Sequence, residues 1–86
     1  MARLQPNRHH QQEIHCTICN DLPEDIFAIL RIQYYDDGWP AEAEEIRVSE
    51  KDGYEAFAHL VRTSAMLGAD ILIQTAYDPK DLGLVP

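Results

Sequence analysis

Apolar and polar residues alternate from Ile14 onward, with Ile14, Cys16 and Ile18 on one side and His15, Thr17 and Cys19 on the other. That period of two is what a half-buried strand requires. "NDLPED" at 20–25 ends the run, because Asn, Asp and Pro favour turns and Pro removes a ladder donor. The next segment, "DIFAILRIQYY" (25–35), fits two periods. As a helix it would start after Asn20 or Asp21, with Pro23 in its first turn and Leu22, Ile26, Ile29 and Ile32 or Gln33 along one stripe. As a strand it puts Ile26, Ala28, Leu30, Ile32 and Tyr34 on one face and Phe27, Ile29, Arg31, Gln33 and Tyr35 on the other. The strand is preferred because "DDGWP" follows: Asp37-Gly38 is a two-residue hairpin signal, and "AEEIRVS" (43–49) alternates again as a return arm.

Ser49 then stands where a helix cap is expected, with Asp52 at the capping-box spacing. Through "EKDGYEAFAHLVRTSAML" (50–67), Tyr54, Phe57, Leu60, Val61, Ser64 and Leu67 form an apolar stripe opposite Lys51, Glu55, His59 and Arg62. Gly68 predicts the stop, and "DILIQTA" (70–76) reads as a last strand. The predicted order is β-β-β-α-β. This gives an α+β two-layer domain, with a mostly antiparallel four-stranded sheet packed on one helix. Residues 13–77 make that domain, residues 1–12 ("MARLQPNRHHQQ") a flexible polar arm, and residues 78–86 an irregular tail. One helix cannot cover both sides of four strands. The uncovered face, with Phe27, Ile29 and Tyr35 on it, therefore calls for the arm, a partner, or a second copy, and a homodimer would use that face or an edge strand.

Eighty-six residues suffice for one core, and 45% hydrophobic with 26% charged is the balance of a folded domain. The longest apolar run, "IFAIL" at 26–30, is too short to span a membrane, and the N-terminus lacks a signal-peptide core, so a cytoplasmic setting is expected. Two cysteines three positions apart do not make a secreted disulfide framework.

The net charge of −8 is concentrated in one stretch. Residues 36–55 hold Asp36, Asp37, Glu42, Glu44, Glu45, Glu50, Asp52 and Glu55 against only Arg47 and Lys51. Such a surface repels phosphate backbones and draws basic partners, which disfavours direct nucleic-acid binding. A solvated hairpin kept soluble by like charges is the plainer explanation of the same cluster.

"HHQQEIHCTIC" (9–19) gathers three histidines and both cysteines. Zinc needs four ligands, usually two pairs across a loop, and only Cys16-x-x-Cys19 is a pair here. Its spacing is similar to half a zinc knuckle or to the first cysteine pair of RING-type domains, but His59 is the one Cys or His downstream, so a second pair is missing. A zinc-binding or metal-sensing domain would have to use His9, His10, Cys16 and Cys19. A redox pair would need the cysteines at a helix start, which the pattern does not place there. Glu55 and His59, one helical turn apart, fit a surface ion pair better than an acid–base couple, and no nucleophile elbow or phosphate loop occurs.

The expectation is therefore a non-enzymatic protein-interaction module with no cofactor. It would dock on a basic protein surface through Tyr35, Asp36, Asp37, Trp39, Glu42, Glu44, Glu45, Glu50 and Asp52, with Trp39 or Tyr35 as the anchor. A sharper form is an inhibitor of a nucleic-acid-handling protein whose carboxylates imitate phosphates, the strategy of phage-encoded anti-restriction and some anti-CRISPR proteins. The alternative is the zinc-binding domain.

Overall fold

Strand order in this protein follows where apolar side chains can be buried, not their order along the chain. The structure, a computed structural model, describes residues 11–84. Its elements are β1 (Ile14–Ile18), β2 (Ile26–Asp36), β3 (Trp39–Ser49), α1 (Gly53–Met66) and β4 (Asp70–Thr75). The predicted β-β-β-α-β sequence of elements is present, and residues 26–36 form a strand. The sheet runs β1-β4-β2-β3, with β1 parallel to β4 and the other two pairings antiparallel. The expectation of a mostly antiparallel sheet is thus corrected: the sheet is mixed.

The reason lies in the crossover. Helix α1 carries the chain back along the sheet, so β4 runs in the same direction as β3 and could add to its outer edge only as a parallel strand, the slightly weaker pairing, with one flank left in water. It takes the free side of β2 instead. The slot suits it, because Ile71, Ile73 and Thr75 are all buried there, whereas the more polar β1 is left on the edge. Leu30, Ile32, Ile71, Ile73 and Phe57 are the largest apolar side chains wholly out of water, and each contributes about 1.5–3 kcal/mol of burial.

The hairpin turn is as predicted. Asp37 and Gly38 have φ of 52° and 82°, the two positive values of a tight turn that matches strand twist. Two irregularities interrupt the β2–β3 register, between Gln33 and Tyr35 and between Ile26 and Ala28. At the first, β3 carries the extra residue, and Gln33 Nε2 lies 2.9, 3.2 and 3.3 Å from the carbonyl oxygens of Tyr34, Ala41 and Glu42. At the second, Phe27 is the extra residue on β2, which moves it off the uncovered face assigned to it from the alternation. Its ring is buried, 4.8 Å from the stacked ring of Tyr77 and 5.6 Å from that of Phe57 on the helix. Thr75 Oγ1 donates to the Phe27 carbonyl at 2.8 Å, satisfying it inside the core.

With Phe27 gone, the open face carries His15 and Thr17, Arg31 and Gln33, Glu45 and Arg47, and Leu72 and Gln74 around Ile29. Most of these are polar, so the face does not need the covering that the sequence pattern implied.

Helix α1 begins later than predicted. Ser49 Oγ accepts from the N–H groups of Lys51 at 3.0 Å and Asp52 at 3.4 Å, so it caps the turn ahead of the helix. Asp52 is the N-cap, without a side-chain capping bond. Phe57, Ala58, Val61 and Ser64 are buried, while Tyr54 and Leu67, expected in the stripe, are exposed. The stop occurs where predicted: Gly68 has φ 78° and donates to the Ala65 carbonyl, and Ala69 N–H reaches the Ser64 carbonyl, a Schellman closure. Beyond β4, residues 78–84 hold no helix or strand. Asp78 Oδ1 accepts from Lys80 N–H at 2.9 Å, and the turns that follow bring Leu82 into the core beside the helix.

Candidate functional site

β3 is an edge strand, and every residue of it from Trp39 to Glu45 is exposed. Alternation along β3 divides its carboxylates between the two sides of that edge. Glu44 lies on the helix side, where it accepts a 2.9 Å hydrogen bond from the Tyr34 hydroxyl. Glu45 lies on the open face, opposite Arg31, with Arg31 Nε 3.1 Å away and Arg47 Nε 3.9 Å away. These pairs are exposed and worth little in stability. They nonetheless neutralise Glu45 locally, so it presents less negative charge than Glu42 or Glu44. Donation to Glu44 holds the Tyr34 hydroxyl above its ordinary pKa, because losing the proton would set two negative oxygens together.

The residues singled out from the sequence do not form one patch. Asp36, Asp37 and Trp39 sit at the hairpin tip, all exposed, and Glu42 and Glu44 continue down the edge. Tyr35 is half-buried, and its hydroxyl donates to Asp70 Oδ2 at 2.9 Å, which keeps the phenol proton on to higher pH. Glu50 and Asp52 lie at the other end of β3, about 33 Å from the tip at the usual rise per strand residue. Glu50 there accepts from the Tyr77 hydroxyl at 3.0 and 3.3 Å, and Tyr77 too is held above its ordinary pKa. The sequence-predicted set therefore divides into a tip-and-edge group and a distal pair.

The open face also holds a shallow hollow of about 580 Å³, with Leu72 on its floor and Glu13, His15, Arg31, Gln33, Glu45 and Asp70 around it. Charges of both signs line it. Glu13 Oε2 and His15 Nε2 are 3.5 Å apart at one rim.

Cys16 packs on the core from β1, and burial, with the nearby charge of Asp78 adding to it, pushes its thiol up. Cys19 lies just past the strand, its N–H donating to the Thr75 carbonyl at 2.7 Å, and both cysteines are free. Three residues of extended chain put them about 10 Å apart, beyond the Cα separation a disulfide tolerates. Among the described residues no three His, Cys, Asp or Glu side chains cluster as a metal site; His9 and His10 lie outside those residues. Glu55 and His59 are exposed on the helix. No helix among the described residues is long and apolar enough to cross a membrane.

Sequence reasoning missed Arg31 and Asp70. Counting back from the Asp37-Gly38 turn in unbroken register would put Arg31 opposite Glu44; the bulge at 41–42 shifts the pairing to Glu45. No local signal marks Asp70, whose partners Tyr35 and Glu13 are distant in sequence. No family model, curated protein or solved structure matches this chain.

Proposed function

We propose that this protein is a non-enzymatic interaction module that docks the tip and edge of its β2–β3 hairpin on a basic surface of a partner protein. The observation that carries this reading is the uninterrupted exposure of residues 39–45 along a sheet edge, with Glu42 and Glu44 beside a half-exposed Trp39. A tryptophan next to unpaired backbone and carboxylates combines an apolar anchor with charge complementarity, the pairing expected at a binding hot spot.

Geometry supports the sharper form, phosphate mimicry. Glu42 and Glu44 are two residues apart on one side of the edge strand, about 6.6 Å at the usual rise, so two carboxylates stand in a row there to meet Lys and Arg side chains arranged for a phosphate backbone. The target in this reading is a nucleic-acid-handling protein, as for phage-encoded anti-restriction and some anti-CRISPR proteins. Asp36, Asp37, Trp39, Glu42 and Glu44 would make the contact. Glu45, already neutralised by Arg31, and the distant Glu50 and Asp52 would contribute less.

The test is capture of partners from the native host, followed by titration of the purified pair. Reversal of Glu42 and Glu44 to Lys should weaken binding at least about tenfold and flatten its salt dependence, and Trp39→Ala should weaken it without changing the salt slope. Unchanged affinity in the double reversal would sink the reading.

A further inference from the structure

The opposite edge of the sheet differs from the acidic one in every respect that matters for strand pairing. Among the described residues no strand pairs with the outer side of β1. Its five residues, Ile-His-Cys-Thr-Ile, include no carboxylate, while β3 carries Pro40, a bulge and acidic side chains, the devices that block edge-to-edge addition. Helix α1 lies over β2, β3 and β4 and does not reach β1. Ile14 and Ile18 on the helix side are consequently left 41% and 52% exposed.

The free hydrogen-bonding groups of β1 follow from its bonds to β4. The Glu13 carbonyl accepts from Ile71 N–H at 2.9 Å and Cys19 N–H donates to the Thr75 carbonyl at 2.7 Å. Odd-numbered residues thus face β4, and alternation leaves the N–H and C=O of Ile14, Cys16 and Ile18 aimed outward. In a protein with a net charge of −8, a second copy can approach closely only where local charge is low, and β1 is such a place.

From these observations we propose that the protein self-associates by pairing β1 antiparallel with β1 of a second copy, about a two-fold axis midway between the two Cys16 residues. That register uses the full strand. It sets Ile14 opposite the second copy's Ile18, His15 opposite its Thr17 and Cys16 opposite its own equivalent. All outward-facing groups become hydrogen-bonded pairs, and Glu13 meets Cys19, so no like charges oppose. The four isoleucines would cluster on the helix side, where α1 leaves space. Two five-residue strands bury less than the roughly 1,200 Å² of a standard interface, so the dimer is concentration-dependent. It leaves both β3 edges outward, and so stands or falls independently of the acidic-edge reading.

Sedimentation equilibrium of the full chain up to about 1 mM tests it, since that range detects even millimolar dissociation constants. A monomer–dimer equilibrium is expected. Ile18→Lys and Cys16→Pro should each weaken it at least about tenfold; the proline removes an outward N–H and leaves the β4 ladder intact. Ala43→Lys on the other edge should leave it unchanged. In Cys19→Ser protein a short bismaleimide should yield a covalent dimer through Cys16, lost when Cys16 is also Ser. Ile18→Lys changes an exposed side chain, so its folding, checked by circular dichroism, keeps the test valid should Cys16→Pro unfold. A monomer throughout the range, a dimer that survives in folded Ile18→Lys protein, or one lost in Ala43→Lys would overturn the proposal.

Discussion

The Tyr35 hydroxyl donates a 2.9 Å hydrogen bond to Asp70 Oδ2, while the other oxygen of the same carboxylate accepts from Glu13 N–H at 2.9 Å. One side chain at the start of β4 therefore holds β2 on one side and the entrance to β1 on the other. Removing Asp70 breaks both of these hydrogen bonds, whereas removing the Tyr35 hydroxyl breaks one. Asp70→Ala is expected to lower the thermal midpoint more than Tyr35→Phe, which should cost no more than about 5 °C. The double variant should lose less than the two single losses added together. Calorimetry on the four proteins checks both orderings, and amide exchange at Glu13 should quicken only when Asp70 is changed.

Three phenols share one chemistry, which makes the fold sensitive to alkali. Tyr34, Tyr35 and Tyr77 donate to Glu44, Asp70 and Glu50, and each is held above the ordinary value of 10.0. A group whose pKa is raised by folding adds stability that is fully present below its unfolded value and is lost as pH rises through the folded one. Above about pH 10 the unfolded chain releases protons that the folded chain retains, so stability should fall there. Cys16, raised above 9.0, acts in the same direction. Urea midpoints measured from pH 8 upward, with the ultraviolet titration of tyrosine, should show the decline. Tyr34→Phe, Tyr35→Phe and Tyr77→Phe together should remove most of it.

Leu82, although in a segment without helix or strand, is only 5% exposed. Leu82→Ala should destabilise by about 2–3 kcal/mol, the low end for a buried leucine because the site lies near the surface and can relax. Chemical denaturation with an unchanged slope checks this. A loss below about 0.5 kcal/mol would mean that the tail does not pack.

Gly68 closes the helix at φ 78°, and an added Cβ would meet nothing within 4 Å. Gly68→Ala is thus a test of backbone strain alone, expected at about 1–2 kcal/mol. Gly68→Asn, which tolerates the left-handed region better, should recover part of it. Equal losses in the two variants would point to a crowded site instead.

Much of the local structure was legible in the sequence. The alternation of Ile14, Cys16 and Ile18 marks β1, Asp37-Gly38 decides that residues 26–36 form a strand, and Gly68 ends the helix. These signals act over a few residues, because side-chain period and turn geometry are properties of short backbone. The acidic strand was legible too, since alternation and charge both lie in "AEAEEIRVS", though its place at the sheet edge was not.

The tertiary structure decided what depends on distant partners. β4 enters between β1 and β2 because the crossover fixes its direction and its isoleucines need the buried slot, a competition among strands that no window of sequence contains. One bulge turns Phe27 inward, and another moves Arg31 from Glu44 to Glu45, each shifting the register by a single residue. Tyr35 and Asp70, 35 positions apart, meet only once that strand order exists. Local chemistry set which elements form, and the non-local burial of apolar surface set which of their side chains remain free to act.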